Sequence, residues 1–105
     1  MLQKKFLLTS HGHLRIGVVH MHRDLLQPGD HPMGGGFWDI DYTANRLVLS
    51  GRSFDFGEPQ WGVVSTLHVP QAYRSLSIVY EGDTPSQNFD VSARLPITYY
   101  LETSF

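Results

Sequence analysis

The first part of the chain contains two short, largely apolar runs on either side of a polar segment, a pattern typical of a β-hairpin. The runs are residues 4–9 (KKFLLT) and 14–21 (LRIGVVHM), and the segment between them is SHGH. Gly12 lies in this segment and suits the positive φ that a tight turn requires. We therefore predict that the two runs are antiparallel strands.

The register of this hairpin is predicted by placing the apolar side chains of both strands on one face of the sheet. The opposed pairs are then Phe6 with Val18 and Leu8 with Ile16. In this register, His20 and His22 lie on the same face at the end far from the turn. Lys4 is expected opposite His20.

Residues 27–36 (QPGDHPMGGG) contain two prolines and four glycines, so we predict a loop without regular structure. A second hairpin is predicted after it, with FWDIDY and LVLSGRSF joined by TANR. Its first strand alternates apolar and acidic residues, as a half-buried strand does: Trp38, Ile40 and Tyr42 with Asp39 and Asp41. Asn45 suits the turn because it tolerates the left-handed region.

Residues 58–70 (EPQWGVVSTLHVP) carry conflicting signals. Four residues recur at helical spacing, namely Trp61, Val64, Leu67 and His68. Gly62 and the β-branched residues around it favour a strand. Helix and strand therefore both stay open for this segment.

The last third of the chain is predicted to be rich in strands. Residues 75–81 (SLSIVYE) predict a strand, 82–87 a loop, and 89–102 one or two strands interrupted at Pro96. The whole pattern predicts an α+β domain, mainly antiparallel or mixed β-sheet with one or two short helices, or an all-β domain.

Composition narrows the functional classes. The length of 105 residues fits a single domain (1–105), and a hydrophobic content of 41% excludes a disordered chain. No apolar run is long enough for a membrane span or a signal peptide. Cysteine is absent, which excludes disulfides and favours a cytoplasmic location. A net charge of −2 offers no basic patch, so nucleic acid is not an expected partner.

Histidine is the compositional outlier, because four of the six histidines form the pairs His11/His13 and His20/His22. Two histidines at this spacing on a strand point to the same side and can share a metal. However, His13 and His20 are separated by roughly 23 Å along an extended strand. Only a sharp fold-back near Gly17, or a second subunit, could bring both pairs to one metal, and we expect His11 and His13 to be polar residues at an exposed hairpin tip.

The His20/His22 pair differs because it lies at a strand end followed by a loop. A metal site completed there by Asp24 or His31 stays open as an alternative. A structural role for His20 and a catalytic role for an imidazole at this position are also open. We predict no metal or other cofactor as the leading interpretation.

Residues 34–61 combine a triple glycine entering a strand, a hairpin, a strand ending in Gly-x-Ser, and an aromatic–glycine pair. The parts are Gly34–Gly36, Leu47–Leu49, Gly51–Ser53 and Phe56–Gly57. This arrangement resembles the signature region of the janus/ocnus family, whose best-known member is the phosphohistidine phosphatase. Two shorter segments agree with it: KFLL at 5–8 resembles the family's first strand, and HRDL at 22–25 its catalytic His-x-Asp-aliphatic element.

The resemblance implies a mixed sheet flanked by helices, with a helix over 58–68. It also implies a phosphate or anion site in which His22 is the nucleophile or general base and Lys5 supplies positive charge. Lys4 is the rival for the lysine role. The phosphate cradle would consist of the Ser53 hydroxyl and the backbone amides of Ser53, Phe54 and Asp55. The implied activity is that of a phosphatase-like hydrolase acting on a small anion or a phosphorylated protein.

Two positions depart from the family's pattern. Asp55 places a carboxylate where the family has a small residue, and Phe37 replaces an arginine after the triple glycine. A non-catalytic binding or interaction module is therefore the alternative function. Its contact surface would be formed by the aromatic residues Trp38, Trp61, Phe54 and Phe56. Substrate, partner and oligomeric state are not fixed by these patterns.

Overall fold

The computed structural model describes residues 1–102, which form two β-sheets connected by short helical turns. The strands are β1 (Gln3–Thr9), β2 (Leu14–Val19), β3 (Pro32–Asp41), β4 (Arg46–Ser50), β5 (Leu67–Pro70), β6 (Ser77–Glu81) and β7 (Ile97–Tyr100). The α-helix is α1 (Val91–Arg94), and the 3₁₀-helices are His22–Leu25, Trp61–Val63, Gln71–Tyr73 and Pro85–Gln87. None of these helices has the length and apolar character needed to cross a membrane.

The larger sheet has five strands in the order β2–β1–β3–β4–β6. Its neighbours are antiparallel except for β4 and β6, which are parallel, and β5 and β7 form a separate parallel pair. A compact β-rich domain with a mixed sheet and short helices is thus confirmed, consistent with the predicted α+β class.

The first hairpin is confirmed, but its predicted register is wrong by two residues. Phe6 lies opposite Ile16 and Lys4 lies opposite Val18. The shift arises because the turn closes early, where the Thr9 amide donates to the His13 carbonyl over 3.0 Å. A two-residue shift keeps the side chains within β1 and β2 on their predicted faces. It moves Val18 beyond the core, however, where it is 55% exposed. The placement of His20 and His22 on the same strand face is wrong, because β2 ends at Val19 and His22 begins a 3₁₀-helix.

The predicted loop over 27–36 is only partly correct, because β3 begins at Pro32 and includes the triple glycine. The reason lies in the neighbouring backbones. A Cβ atom at Gly35 would collide with the Phe6 carbonyl, and one at Gly36 with the Ser50 carbonyl. Glycine is therefore what allows this strand to pass so close to its neighbours. The second hairpin, including Asn45 at a φ of 55°, is confirmed.

The helix that the resemblance implied over 58–68 is wrong. Only Trp61–Val63 forms a single 3₁₀ turn, and β5 begins at Leu67. The residues with strand preference at the end of this segment pair with β7 instead of continuing a helix.

The strand predicted before Pro96 is also wrong, because α1 occupies Val91–Arg94. Asp90 begins the helix: its carboxylate accepts a hydrogen bond of 3.3 Å from the Ala93 amide. The strand predicted after Pro96 is confirmed as β7.

The core lies between the larger sheet and the segments that follow β4. Trp61 is at its centre, only 7% exposed and stacked with Phe6 and Phe89 at ring-centroid distances of 6.3 and 6.0 Å. It therefore cannot contribute to the aromatic contact surface predicted for a binding module. The other buried residues of this core are Tyr80 and the aliphatic residues Leu8, Leu14, Ile16, Leu47, Leu49, Val64, Leu67, Val69, Ile78 and Val91.

Candidate functional site

A cleft of about 420 Å³ opens beside the end of β2 and the start of β1. We call it the His22 cleft. Its lining residues are Gln3, Lys5, His20, Met21, His22, Phe37, Phe54 and Asp55. Four of the five predicted site residues, all except Ser53, are thus brought together around one concave space.

His22 is held rigidly at one wall of this cleft. It is the first residue of the 3₁₀-helix after β2, and the Asp24 carboxylate accepts a 3.0 Å hydrogen bond from the Met21 amide at the start of that turn. The imidazole is 5% exposed, and its Nε2 lies 2.7 Å from the Gly36 carbonyl oxygen. Since a carbonyl only accepts, Nε2 carries the proton and donates it. The Phe37 ring packs edge-on against the imidazole, with 5.4 Å between the ring centroids.

The pKa of His22 is lowered from its usual value, chiefly by burial and also by the nearby positive charge of Lys5. The hydrogen bond to Gly36 and the charge of Asp55 oppose this shift without cancelling it. The ring is therefore neutral near pH 7, with the proton on Nε2. Within residues 1–102 no hydrogen bond to Nδ1 is found, so its lone pair is not engaged by another protein group.

Lys5 contributes a buried cation. Its side chain is on β1, it is 8% exposed, and its Nζ donates a short hydrogen bond to the His20 backbone carbonyl. No carboxylate of residues 1–102 lies within 4.0 Å of this ammonium. Burying an ammonium without a counter-ion is costly, and one carbonyl does not neutralise it. An anion in the cleft would supply the missing charge.

Lys4, the rival for the lysine role, is engaged on the surface. Its Nζ lies 3.2 Å from the Asp39 carboxylate and 5.5 Å from the centre of the Trp38 ring. It does not line the His22 cleft. Lys5 is therefore the cation that geometry brings to His22.

Ser53 is buried, but its hydroxyl serves its own turn. The oxygen accepts a 2.8 Å hydrogen bond from the Phe56 amide and donates one of 3.3 Å to the Gly57 carbonyl. Its backbone amide also bonds Gly57. Ser53 lines a neighbouring cavity of about 470 Å³ together with Arg52, Phe54 and Gly57. Its contribution to the His22 cleft is thus indirect, through the turn that presents Phe54 and Asp55.

The alternative of a metal site at His20/His22 lacks ligands. No group of three histidine, aspartate or glutamate side chains in residues 1–102 is arranged to hold a metal ion. His20 is exposed, and Nε2 of His22 is occupied by the Gly36 carbonyl. Asp24 is used to cap the turn.

The first histidine pair is divided between two environments. His11 is exposed as predicted, whereas the prediction for His13 is wrong. The His13 ring stacks on His68 with centroids 4.8 Å apart, and Tyr100 contacts it edge-on. The His68 amide donates to the Gly12 carbonyl over 2.7 Å, so this contact joins the hairpin tip to β5. Local patterns could not reveal it, because the partners are far apart in sequence.

Three cleft residues were not among the predicted site residues: Gln3, Met21 and Phe37. Phe37 was noted only as a departure from the family's pattern, yet it pairs directly with Lys5 across β1 and β3 and flanks His22. Met21, immediately before His22, also lines the cleft. A correct register for β1 and β3 would have identified Phe37.

Comparisons with known proteins identified no relative of this chain. A scan against protein-family models, a search of curated proteins and a search of solved structures each found no match.

Proposed function

We propose that the His22 cleft binds a small anion of the phosphoryl class, and that the chain is a phosphohistidine phosphatase-like hydrolase with a janus-like scaffold. The observation that carries this proposal is the pairing of a buried, carboxylate-free ammonium with a neutral imidazole in one cleft. These two groups are Lys5 and His22.

Anion binding follows from the charge of Lys5. The ammonium has three donors, and the His20 carbonyl takes one of them. A phosphoryl oxygen offers the strong, charge-assisted acceptor that the remaining donors lack. Asp55 lies at the rim and opposes a bound anion. Because Asp55 is exposed, solvent and salt screen its charge more than that of Lys5.

Hydrolysis follows from the protonation state of His22. A neutral imidazole can accept a phosphoryl group at Nδ1, or take a proton from an attacking water. The donor bond from Nε2 to Gly36 fixes the tautomer that leaves Nδ1 basic. Lys5 would stabilise the negative charge on the transferring phosphoryl oxygens.

Two measurements test the proposal. Phosphate titration followed by NMR should perturb the resonances of His22 and its neighbours, and a histidine-phosphorylated peptide should release inorganic phosphate in the presence of the protein. Lys5→Met should abolish the titration response. Lys4→Met, a matched change at an adjacent exposed lysine, should leave it intact. Absence of both phosphate binding and phosphate release in the folded wild-type protein would refute the proposal.

A non-catalytic anion-binding module is the second candidate function. The observation in its favour is Phe54, whose side chain is fully exposed beside the cleft, as in surfaces that contact a partner. Saturable phosphate binding that is lost in Lys5→Met, together with no phosphate release, would favour this function over hydrolysis.

A further inference from the structure

The His22 cleft changes character from its floor to its rim. Lys5 and His22 are 8% and 5% exposed, so the polar groups lie deep. The exposed fractions of Phe37, Met21 and Phe54 are 36%, 39% and 105%. These three apolar side chains therefore face solvent above the buried polar groups, on a rim that they share with the exposed polar residues Gln3, His20 and Asp55.

Exposed apolar side chains scattered singly need no explanation, but these three line one cleft. Phe54 in particular gains nothing from burial in the folded chain. Its turn is nevertheless held firmly by the Ser53 hydroxyl, which bonds both Phe56 and Gly57. A fixed turn that displays an aromatic ring to water is typical of a binding surface.

The size of the cleft also indicates an organic ligand. Its volume of about 420 Å³ falls in the range of roughly 300–1,000 Å³ found for pockets that hold organic ligands. A bare phosphate has only five heavy atoms and would occupy the space near Lys5 alone. The space that remains is bordered in part by the apolar side chains of Met21, Phe37 and Phe54.

We infer that the ligand of the His22 cleft is an organic phosphate with an aromatic or similarly flat apolar group next to its phosphoryl head. This inference rests on the proposed anion site. The head lies against Lys5 and His22, and the apolar group lies between Phe37 and Phe54. Aromatic rings suit this position because they can pack edge-on or offset against both phenyl groups.

The test compares three probes by calorimetric titration: inorganic phosphate, methyl phosphate and phenyl phosphate. Phenyl phosphate should bind about tenfold more tightly than methyl phosphate, since the ring buries apolar surface that a methyl group does not. Phe54→Ala should reduce the preference for phenyl phosphate over methyl phosphate from about tenfold to within about twofold. Tyr42→Ala changes an aromatic residue that is 85% exposed but outside the cleft, and it should have no effect.

The outcomes distinguish a failure of this inference from a failure of the proposed anion site. Equal affinities for methyl and phenyl phosphate, both lost in Lys5→Met, would overturn the inference and leave the anion site standing. A preference for phenyl phosphate that survives in Phe54→Ala would also overturn it, because the rim would not be its source. No binding of any probe to folded protein would overturn both.

Discussion

Two histidines in this chain are shielded from water in different surroundings. His22 borders a cleft, whereas His13 packs against another histidine. The His22 ring donates from Nε2 to a backbone carbonyl, and the His13 ring stacks on His68 where the hairpin tip meets β5. The pKa of each is lowered, and burial is the main cause in both. A lowered histidine pKa therefore does not by itself identify a reactive site.

What differs is the charge beside each ring. Near His13, Arg15 is paired with Asp30 in a mostly buried salt bridge of 3.0 Å. Near His22, Lys5 is buried with no carboxylate of residues 1–102 within 4.0 Å, and the carboxylate that acts on the His22 ring is the exposed Asp55. The positive charge of the first region is thus paired within the protein, whereas under the proposed function an anion would pair with that of the second.

The largest expected effect concerns the rate of phosphate release from a histidine-phosphorylated peptide. His22→Gln should lower it by about 100-fold or more, because the amide can still donate to Gly36 but has no basic nitrogen. His13→Gln should leave it within about twofold of wild type. If both substitutions lowered the rate equally, the functional distinction between the two rings would be lost.

The next effect concerns stability. Arg15→Met should lower the free energy of unfolding by about 3 kcal/mol, because it leaves Asp30 buried without its partner. Lys5→Met should not destabilise the fold comparably, since it removes a buried charge that has no carboxylate partner. Urea unfolding of the two variants measures this difference. A Lys5→Met variant as unstable as Arg15→Met would mean that the ammonium is structural.

A smaller effect should appear in the pH dependence of stability. The folded pKa of His13 is lowered by burial, Arg15 and His68, although Asp30 opposes these. The unfolded chain then binds more protons below about pH 6.5, so stability should fall as the pH drops through that value. His13→Gln should flatten part of this decline in denaturant titrations between pH 5 and 8.

The same pH titration of stability also applies to the second buried histidine, His22. His22 has the same direction of pKa shift, so His22→Gln should remove a further part of the decline. A profile that His13→Gln does not alter would show that the stacked contact tolerates a proton.

The smallest effect is expected at the rim of the cleft. Asp55→Asn should tighten phosphate binding by about two- to threefold, since it removes an exposed negative charge beside the anion. Glu81→Gln removes an exposed carboxylate that does not line the cleft and should have no effect. Titrations at low and at high salt should show the gain shrinking as salt rises. Weaker binding in Asp55→Asn would mean that this carboxylate supports the ligand.

Local patterns predicted those parts of the fold whose causes are local. The strands around Phe6 and Leu47 were anticipated from runs of apolar residues, and the Asn45 turn from the tolerance of asparagine for positive φ. The triple glycine was predicted as a loop because glycine usually marks one. Glycine is in fact required in β3 because the backbone carbonyls of Phe6 and Ser50, in the neighbouring strands, leave no room for a Cβ atom.

Only part of the candidate site was predicted, because local motifs do not reveal contacts between distant segments. Lys5, His22 and Asp55 came from a resemblance in short motifs, and the fold brings them to one cleft. Phe37 depended on strand register, which was not available from the hydrophobic pattern. The contact between His13 and His68 depended on tertiary structure alone.

The glycines of β3 have a consequence for how this protein can vary. A Cβ atom at Gly35 would collide with the Phe6 carbonyl oxygen and lie 3.0 Å from Leu7 Cδ2, so any larger residue would push β1 and β3 apart. The His22 ring would meet that atom only at 3.4 Å, an ordinary van der Waals contact. Since β1 carries Lys5 and β3 carries Phe37, separating the two strands would still change the shape of the cleft that these residues line.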